Sequence, residues 1–452
     1  MVGGDAALRP WPLAVALVGR CLATQSRTDA RAVVASDARA DLPPEQRHWL
    51  ARTVYRTLQQ QRRADFALDG VVRLPPHVRP AALVLATAVD DREITPAEAA
   101  DWMDRLAESP VRRIDWERVA SPAARIAGVR DPVVRFGLTH SIPDWLAQRF
   151  LDEFGGADGA EPLVAALGTE PPRTIRANLL RVADREALRE ELAAVGVPSE
   201  ATPHAPHGLV VGGHIPLFGL AAFREGRFEQ QDEASQLVAM LVAPPPSGRV
   251  LDACAGSGGK TLALAATMQN RGEILALDTN ARRIAELVKR RRRAGVHSMR
   301  AQHVEEGPWP EAVRTFASRA DRILLDVPCS GIGSWRRRPE ARFELTAESC
   351  TTLRRTQQDL LQRAIECLRP GARLIYSTCT VFRDENEQQI EAAMAADREL
   401  ELVPVAEILG RAAATPITDP RGVLLELRPD RHGCDGFFAA VLRRRRAGGR
   451  GA

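Results

Sequence analysis

The stretch Arg249-Val250-Leu251-Asp252-Ala253-Cys254-Ala255-Gly256-Ser257-Gly258-Gly259-Lys260-Thr261 decides the architecture of the chain. A short apolar run of strand character ends at Ala253, and a turn of small residues leads straight into a helix. Small residues at that point let a ligand approach the backbone at a helix N-terminus. Outward from this turn, strand-like and helix-like segments alternate: Lys260 to Met268, Glu273 to Leu277, Ala281 to Ala294, Arg322 to Leu325, Thr352 to Leu368, Arg373 to Tyr376 and Glu385 to Ala396. Alternation of this kind implies a doubly wound parallel sheet. Gly436 to Leu442 is a further strand candidate with no helix after it, and is expected to insert antiparallel at the sheet edge.

Three cofactor classes compete for the turn. A Walker loop would require Gly at position 254, where this chain has Cys254. A dinucleotide fold needs three glycines at set positions, and only part of that spacing is present. The alternative is S-adenosylmethionine, whose fold family places a Gly-rich turn after its first strand and a carboxylate after its second to hold the ribose hydroxyls. Asp278 occupies that position, 26 residues after Asp252. The plainer role for Asp278 is a helix cap, because Thr279 and Asn280 lead into the next helix. Only two of the 62 basic residues are lysines, Lys260 and Lys289. A lysine inside the turn therefore suggests a site that wants a compact ammonium, for example against a carboxylate.

Two cysteines follow strand-like runs in the same half of the chain: Cys329 in Asp326-Val327-Pro328-Cys329-Ser330-Gly331 and Cys379 in Tyr376-Ser377-Thr378-Cys379-Thr380. Residues just past parallel strands share one crevice, so the two thiols can meet over one ligand. That pairing suggests thiol chemistry on a pyrimidine ring. Carbon 5 of cytosine is too poor a nucleophile to take a methyl group unaided. A thiolate added to carbon 6 makes carbon 5 enamine-like, and loss of the carbon 5 proton then lets the thiol depart. Asp326, three residues before Cys329, is placed to stabilise the adduct at the ring nitrogens. The plainer fate of a free thiol is a small buried hydrophobe, which suits Cys21, Cys350 and Cys367. No role is read for Cys434.

The remaining chain frames this region. Residues 1 to about 140 carry helical signals almost throughout, as in Glu45 to Leu68. Pro75, Pro76 and Pro80 interrupt one pair of helices, and Gly155 to Glu161 marks a break. A small βαββ-type subdomain is expected from Pro172 to about Val211, with a strand over Thr174 to Ala177 and a helix over Asp184 to Val195. Of the 452 residues, 45% are hydrophobic and 27% charged, enough for two or three packed domains. The apolar run Trp11 to Val18 is too short for a bilayer and lacks a cleavage pattern, so a cytoplasmic protein without membrane contact is expected. Seven cysteines without metal-ligand spacing argue against a disulfide framework and a metal site. The net charge of +4 is modest, but Lys289 to Arg293, Arg336 to Arg338 with Arg342, Arg354 and Arg355, and Arg443 to Arg446 are basic clusters. Such runs either neutralise phosphates or simply decorate solvated helix faces.

Several stretches together resemble the Sun-type (RsmB-like) RNA cytosine methyltransferases, close to the bacterial branch acting on 16S ribosomal RNA. They are Gln231-Asp232-Glu233-Ala234-Ser235, Cys254 to Thr261, Asp321 to Gly331, Arg337-Arg338-Pro339-Glu340, Tyr376 to Thr380 with Asp384-Glu385-Asn386, and Asp435-Gly436-Phe437-Phe438. The N-terminal part is similar to a NusB-like RNA-binding domain, including Asp41-Leu42-Pro43 ahead of Arg47 to Arg56. The resemblance implies an all-α NusB-like domain (1–142), a linker and small α+β subdomain (143–230), a Rossmann-like α/β S-adenosylmethionine-dependent methyltransferase domain (231–445) and a basic, Gly-rich tail (446–452). A monomer acting on RNA is expected. It further implies that Cys379 is the nucleophile, that Cys329 helps release the product, and that Cys254, Ala255, Gly256, Ser257, Gly258, Gly259, Lys260, Asp278 and Asp326 contact the cofactor or lie against it.

Two departures stand out. The family loop usually reads Cys-Ala-Ala-Pro-Gly-Gly-Lys, so Gly256 and Ser257 are expected to loosen the turn and lower cofactor affinity. The family also places an aspartate after its third strand. Here the nearest match is Glu305, and Glu306 would serve equally. DNA cytosine methyltransferases take their nucleophile from the Pro-Cys motif and carry a Glu-Asn-Val segment that is missing here, which favours RNA. The competing readings are a catalytically weak RNA-binding assembly factor, suggested by the altered loop, and a methyltransferase acting on another RNA such as tRNA.

Overall fold

The computed structural model describes residues 9–23, 42–68, 74–106, 114–213 and 215–445. Among these the chain forms two compact units. One runs to Glu170 and also takes in Trp335–Ala347; the other comprises Pro171–Ser334 and the chain from Glu348 onward. Asp41 and the expected tail at 446–452, with Arg446, lie outside the described residues.

The first unit is helical. Helices Trp11–Ala23, Pro44–Gln59, Arg79–Asp90 and Pro96–Leu106 bury one apolar core, with Trp11 edge-on to Trp49 at 4.8 Å between ring centroids. Pro80 sits in the first turn of Arg79–Asp90, where its missing N–H costs nothing, so it opens that helix and does not interrupt it. Thr95 and Glu98 form a reciprocal capping box at the start of Pro96–Leu106.

Two further helices follow the expected boundary at residue 142 and pack in the same compact unit. Helices Asp144–Glu153 and Ala157–Leu167 bury Leu146, Phe150, Leu163 and Leu167 within it. The glycine break is a turn between these two helices, with Gly155 and Gly156 at positive φ (76° and 89°), a backbone state that favours glycine. Trp335 lies 6.4 Å from the Phe150 ring, and Arg342 lies buried near the carbonyls of Gln59, His140 and Leu167. Sequence separation hid this return of the chain.

The second unit begins with a four-stranded antiparallel sheet. Strands β1 (Thr174–Ala177), β2 (Ser199–Ala201), β3 (Gly208–Val211) and β4 (Phe228–Gln230) run in the order β2-β3-β1-β4. Helix Arg185–Ala194, capped by the Asp184 side chain, packs Leu188 and Leu192 onto it. β4 has only three residues and was not anticipated.

The main sheet contains β5 (Arg249–Asp252), β6 (Glu273–Asp278), β7 (Met299–His303), β8 (Arg322–Asp326), β9 (Arg373–Thr378), β10 (Leu400–Leu402), β11 (Leu425–Leu427) and β12 (Phe437–Arg444). Its order is β10-β12-β9-β8-β5-β6-β7, with β11 also paired to β12. β5 to β9 are parallel, and β12 runs antiparallel to β9. Alternate residues feed two separate cores. Val250, Ile274, Leu324, Ile375 and Val441 face one side, while Leu251, Leu275, Ile323, Leu374 and Leu442 face the other. A strand buried on both faces reads as a continuous apolar run, which explains why these strands were legible.

Two expectations are corrected here. β12 is not the edge, because the short strands β10 and β11 cover its outer side along different stretches. β7 was missed because Met-Arg-Ala-Gln-His needs little apolar character as an edge strand, with only Met299 buried. Among the described residues, no helix is long and apolar enough to cross a membrane.

Candidate active site

β5 is the switch point of the sheet, with β6 on one side and β8 on the other, so the crevice beyond its carboxyl end is open to a ligand. The Gly-rich turn lines that crevice and its backbone is held at several points. The Ala255 N–H bonds to the Leu277 carbonyl at 2.7 Å, the Gly256 N–H to Asp278 Oδ2 at 2.8 Å, and the Gly258 N–H to the Ala255 carbonyl at 2.9 Å. Gly256 and Gly258 have φ of 55° and 87°. A Cβ on Gly258 would lie 2.0 Å from Leu287 Cδ1, so glycine is required there on two counts. A Cβ on Gly256 would meet nothing within 4 Å, which marks the open side of the turn.

Asp278 is not the helix cap. Asn280 caps helix Ala281–Ala294 through the Arg282 and Arg283 N–H groups, while Asp278 accepts from Gly256 and Asn280. Each Asp278 oxygen takes one backbone N–H and keeps a lone pair for a further donor, as a ribose-binding carboxylate requires. Asp252 lies beneath the turn, accepts from Thr261 Oγ1 at 2.6 Å, and burial raises its carboxyl to about 7. Burial and the Asp252, Asp326 and Asp278 carboxylates push the Cys254 thiol well up, so it stays protonated. Glu305 stands beyond β7 with its side chain 91% exposed, 3.9 Å from His303, and Glu306 is also exposed.

The two cysteine loops meet as their strands dictate. Asp326 of β8 is in register with Ser377 of β9, and the residues beyond them bring Cys329 Sγ to 3.4 Å from Cys379 Sγ. Both thiols are free and partly exposed. The Cys379 N–H points at Cys329 Sγ, and Ser334 Oγ lies 3.9 Å from Cys379 Sγ. Lys260 reaches across from the Gly-rich turn to Asp326 Oδ2 at 2.7 Å, and Ser377 Oγ donates to Asp326 Oδ1 at 2.9 Å. The hydrogen bond from Cys329 holds the Cys379 thiol below its ordinary value, with help from the Lys260 charge. That same bond, with burial and the nearby Glu385 carboxylate, pushes Cys329 well up.

A polar network that sequence reasoning missed fixes this geometry. Glu385 is fully buried and accepts from the Ser330 N–H at 2.8 Å, from Ser330 Oγ at 2.6 Å and from Gln357 Nε2 at 2.9 Å. Ser330 Oγ also lies 2.9 Å from Thr380 Oγ1, which ties the two cysteine loops together. Tyr376 Oη donates to the Glu385 carbonyl at 2.6 Å, and Arg354 pairs with Asp384. Gln357 carried a signal: with Cys350, Leu361 and Ala364 it lies on the buried stripe of helix Ala347–Cys367, where a polar side chain needs a partner.

Several arginines of the basic clusters are engaged by other groups of the protein. Arg290 and Arg293 both pair with the buried Glu229, and Arg443 and Arg444 pair with Glu401 and Asp397. Arg342 is buried in the helical unit, which lowers its guanidinium to about 10. In each case a carboxylate or carbonyl distant in sequence claims the charge.

A parallel sheet with a Gly-rich turn at its switch point and an antiparallel final strand defines a methyltransferase-type α/β domain. Residues 239–443 match the family model described as 16S rRNA methyltransferase RsmB/F, and residues 142–217 match the ferredoxin-like domain of RsmF/B-like methyltransferases. A ribosomal RNA small subunit methyltransferase B of Xylella fastidiosa (strain 9a5c) is 31% identical over 87% of this chain and 86% of its own length. A probable methyltransferase of the same name from Synechocystis is 29% identical over 89% of this chain and 92% of its own. The crystal structure of PH0851 superposes with a TM-score of 0.77 at 24% identity, covering 97% of this chain and 99% of that one. The chain belongs to the RsmB/F family of 16S rRNA methyltransferases.

Proposed function

We propose that this protein transfers a methyl group from S-adenosylmethionine to carbon 5 of a cytosine in RNA, with 16S ribosomal RNA as the substrate, through a covalent bond between Cys379 and the base. The observation that carries the reading is the pair of sulfurs 3.4 Å apart at the ends of adjacent parallel strands, beside the Lys260–Asp326 ion pair. Residues 254–260 and Asp278 would hold the cofactor along the open side of the Gly-rich turn. Bound there, S-adenosylmethionine supplies a methyl group on a positively charged sulfur.

The chain's own residues perform the rest. The Cys379 thiolate bonds to carbon 6, which drives an electron pair onto carbon 5 and lets it take the methyl group. We assign Asp326, held by Lys260 and Ser377, to the ring nitrogens, where in its protonated form it donates a hydrogen bond as negative charge develops there. A base from solvent then takes the carbon 5 proton, the electron pair of that carbon–hydrogen bond forms the 5–6 double bond, and the carbon 6–sulfur bond breaks with its pair returning to Cys379. We assign Cys329 to this release step from its position against the Cys379 sulfur. The helical N-terminal unit, whose sequence reads as NusB-like, is the part we assign to holding the structured RNA.

Substituting the two cysteines tests the assignment. Cys379→Ala abolishes methyl transfer, while Cys329→Ala accumulates a protein–RNA adduct that runs slowly on a denaturing gel. An adduct formed by Cys379→Ala, with Cys329→Ala silent, would reverse the two roles. Mapping methylated cytosines in RNA from cells with and without the gene identifies the target.

A further inference from the structure

We propose that Arg290 is a positioning residue for the cofactor turn, a clamp that transmits the rigidity of the small antiparallel sheet to the Gly256-Ser257 segment. The inference rests on S-adenosylmethionine binding at that turn, and it assigns a role to a basic run that the sequence offered as an RNA contact.

The geometry is a chain of charge-assisted contacts. Glu229 of β4 is 1% exposed, so its carboxylate must be matched by cations or donors. Arg290 Nη2 and Nε donate to Glu229 Oε2 at 2.9 and 3.2 Å, and Arg293 Nη2 reaches both of its oxygens at 2.7 and 2.8 Å. The third nitrogen of Arg290, Nη1, donates to the Ser257 carbonyl at 2.8 Å. A planar guanidinium can serve a carboxylate and a carbonyl at once because its donors have fixed directions; an ammonium cannot hold both with that geometry. Helix Ala281–Ala294 presents Leu287 and Arg290, three residues apart, on one face: Leu287 packs under Gly258 and Arg290 holds the carbonyl before it.

The far end of the same helix is tied to the small sheet. Asn178 Nδ2 lies 2.7 Å from the Gly226 carbonyl and 2.9 Å from the Ala294 carbonyl, and Arg293 stacks over the Phe223 ring at 3.9 Å. Helix, sheet and turn therefore form one braced body. The turn lacks the stiffening of the family's Ala-Pro pair, and the clamp supplies it from outside. The expected loosening of the turn is offset in this way.

Two measurements on the full chain test this. In the cofactor-free protein, amide hydrogen exchange over residues 255–259 is expected to speed up at least tenfold in Arg290→Met, with exchange in the Cys329 and Cys379 loops unchanged. Equilibrium dialysis with S-adenosylmethionine is expected to show binding about tenfold weaker in Arg290→Met, the size of one lost charge-assisted hydrogen bond. Arg290→Lys is expected to fall between the two, and Glu229→Gln provides a second route to loosening the clamp should Arg290→Met fail to fold. Unchanged exchange in the turn, or binding within twofold of the wild type, overturns the clamp. Wild-type protein that binds no S-adenosylmethionine overturns the cofactor assignment instead, and the exchange measurement still decides the clamp.

Discussion

The two ends of the crevice are held by opposite means. At the Gly-rich turn after β5, side chains from other elements fix the backbone: Asp278 takes the Gly256 N–H, Arg290 takes the Ser257 carbonyl, and Leu287 lies under Gly258. Beyond β8 and β9, a buried carboxylate draws on both a backbone N–H and side-chain donors, and what it fixes is a pair of thiols. The first arrangement leaves a backbone surface open for a ligand to lie on. The second holds two sulfurs at contact distance. Lys260 belongs to both, since it stands on the turn and pairs with Asp326 beside the sulfurs.

The sharpest way to break this division is at Glu385. Glu385→Ala leaves the Ser330 N–H without its buried acceptor and the Gln357 amide with only the Pro328 carbonyl, and a loss of about 2–4 kcal/mol in unfolding free energy is expected by urea titration. Cys379 alkylation should slow while S-adenosylmethionine binding stays within twofold, because the turn has its own supports. Equal damage at both ends would show that the two are one unit.

Next in size is the proton balance of the thiols. Cys379 is held below its ordinary value first by the bond from Cys329 and then, more weakly, by Lys260. The midpoint of iodoacetamide reaction at Cys379 against pH is therefore expected to move up in Cys329→Ala, and up by less in Lys260→Met. Lys260→Met should also cost about 1–2 kcal/mol, discounted from the value for a buried pair because the Asp326 side chain is 30% exposed.

A pH dependence isolates the turn. The Asp252 carboxyl is raised to about 7, so the folded state binds a proton that the unfolded state gives up near its ordinary value. The unfolded chain therefore gains charge first, and wild-type stability falls as pH rises from about 4 to about 7. In Asp252→Asn that component is absent. The difference in thermal midpoint between variant and wild type should grow in the variant's favour across this range and level off above it. A difference independent of pH would mean that Asp252 is ionised in the folded protein throughout.

What could be read from the chain was local. The turn announced itself through small residues between a strand and a helix, Asp278 through its distance from Asp252, and Cys329 and Cys379 through their places just beyond apolar runs. Helix Ala281–Ala294 was legible to the residue because Asn280 caps it and Gly295, at φ 73°, ends it. The short strands β4, β10 and β11 were not, since three residues carry no period, and the polar edge strand β7 had no apolar face to show.

Sequence alone determined which chemistry was available: a thiol pair, a lysine in a small-residue turn, and a carboxylate after the second strand. Tertiary structure decided which of these atoms meet. Lys260 and Asp326 are 66 residues apart, Ser330 and Glu385 are 55, and Arg290 and Glu229 are 61. Strand order sets those neighbours, and strand order follows from how whole apolar faces bury one another. A motif of ten residues holds no record of that competition, which is why several arginines of the basic clusters were found paired with the protein's own carboxylates and carbonyls.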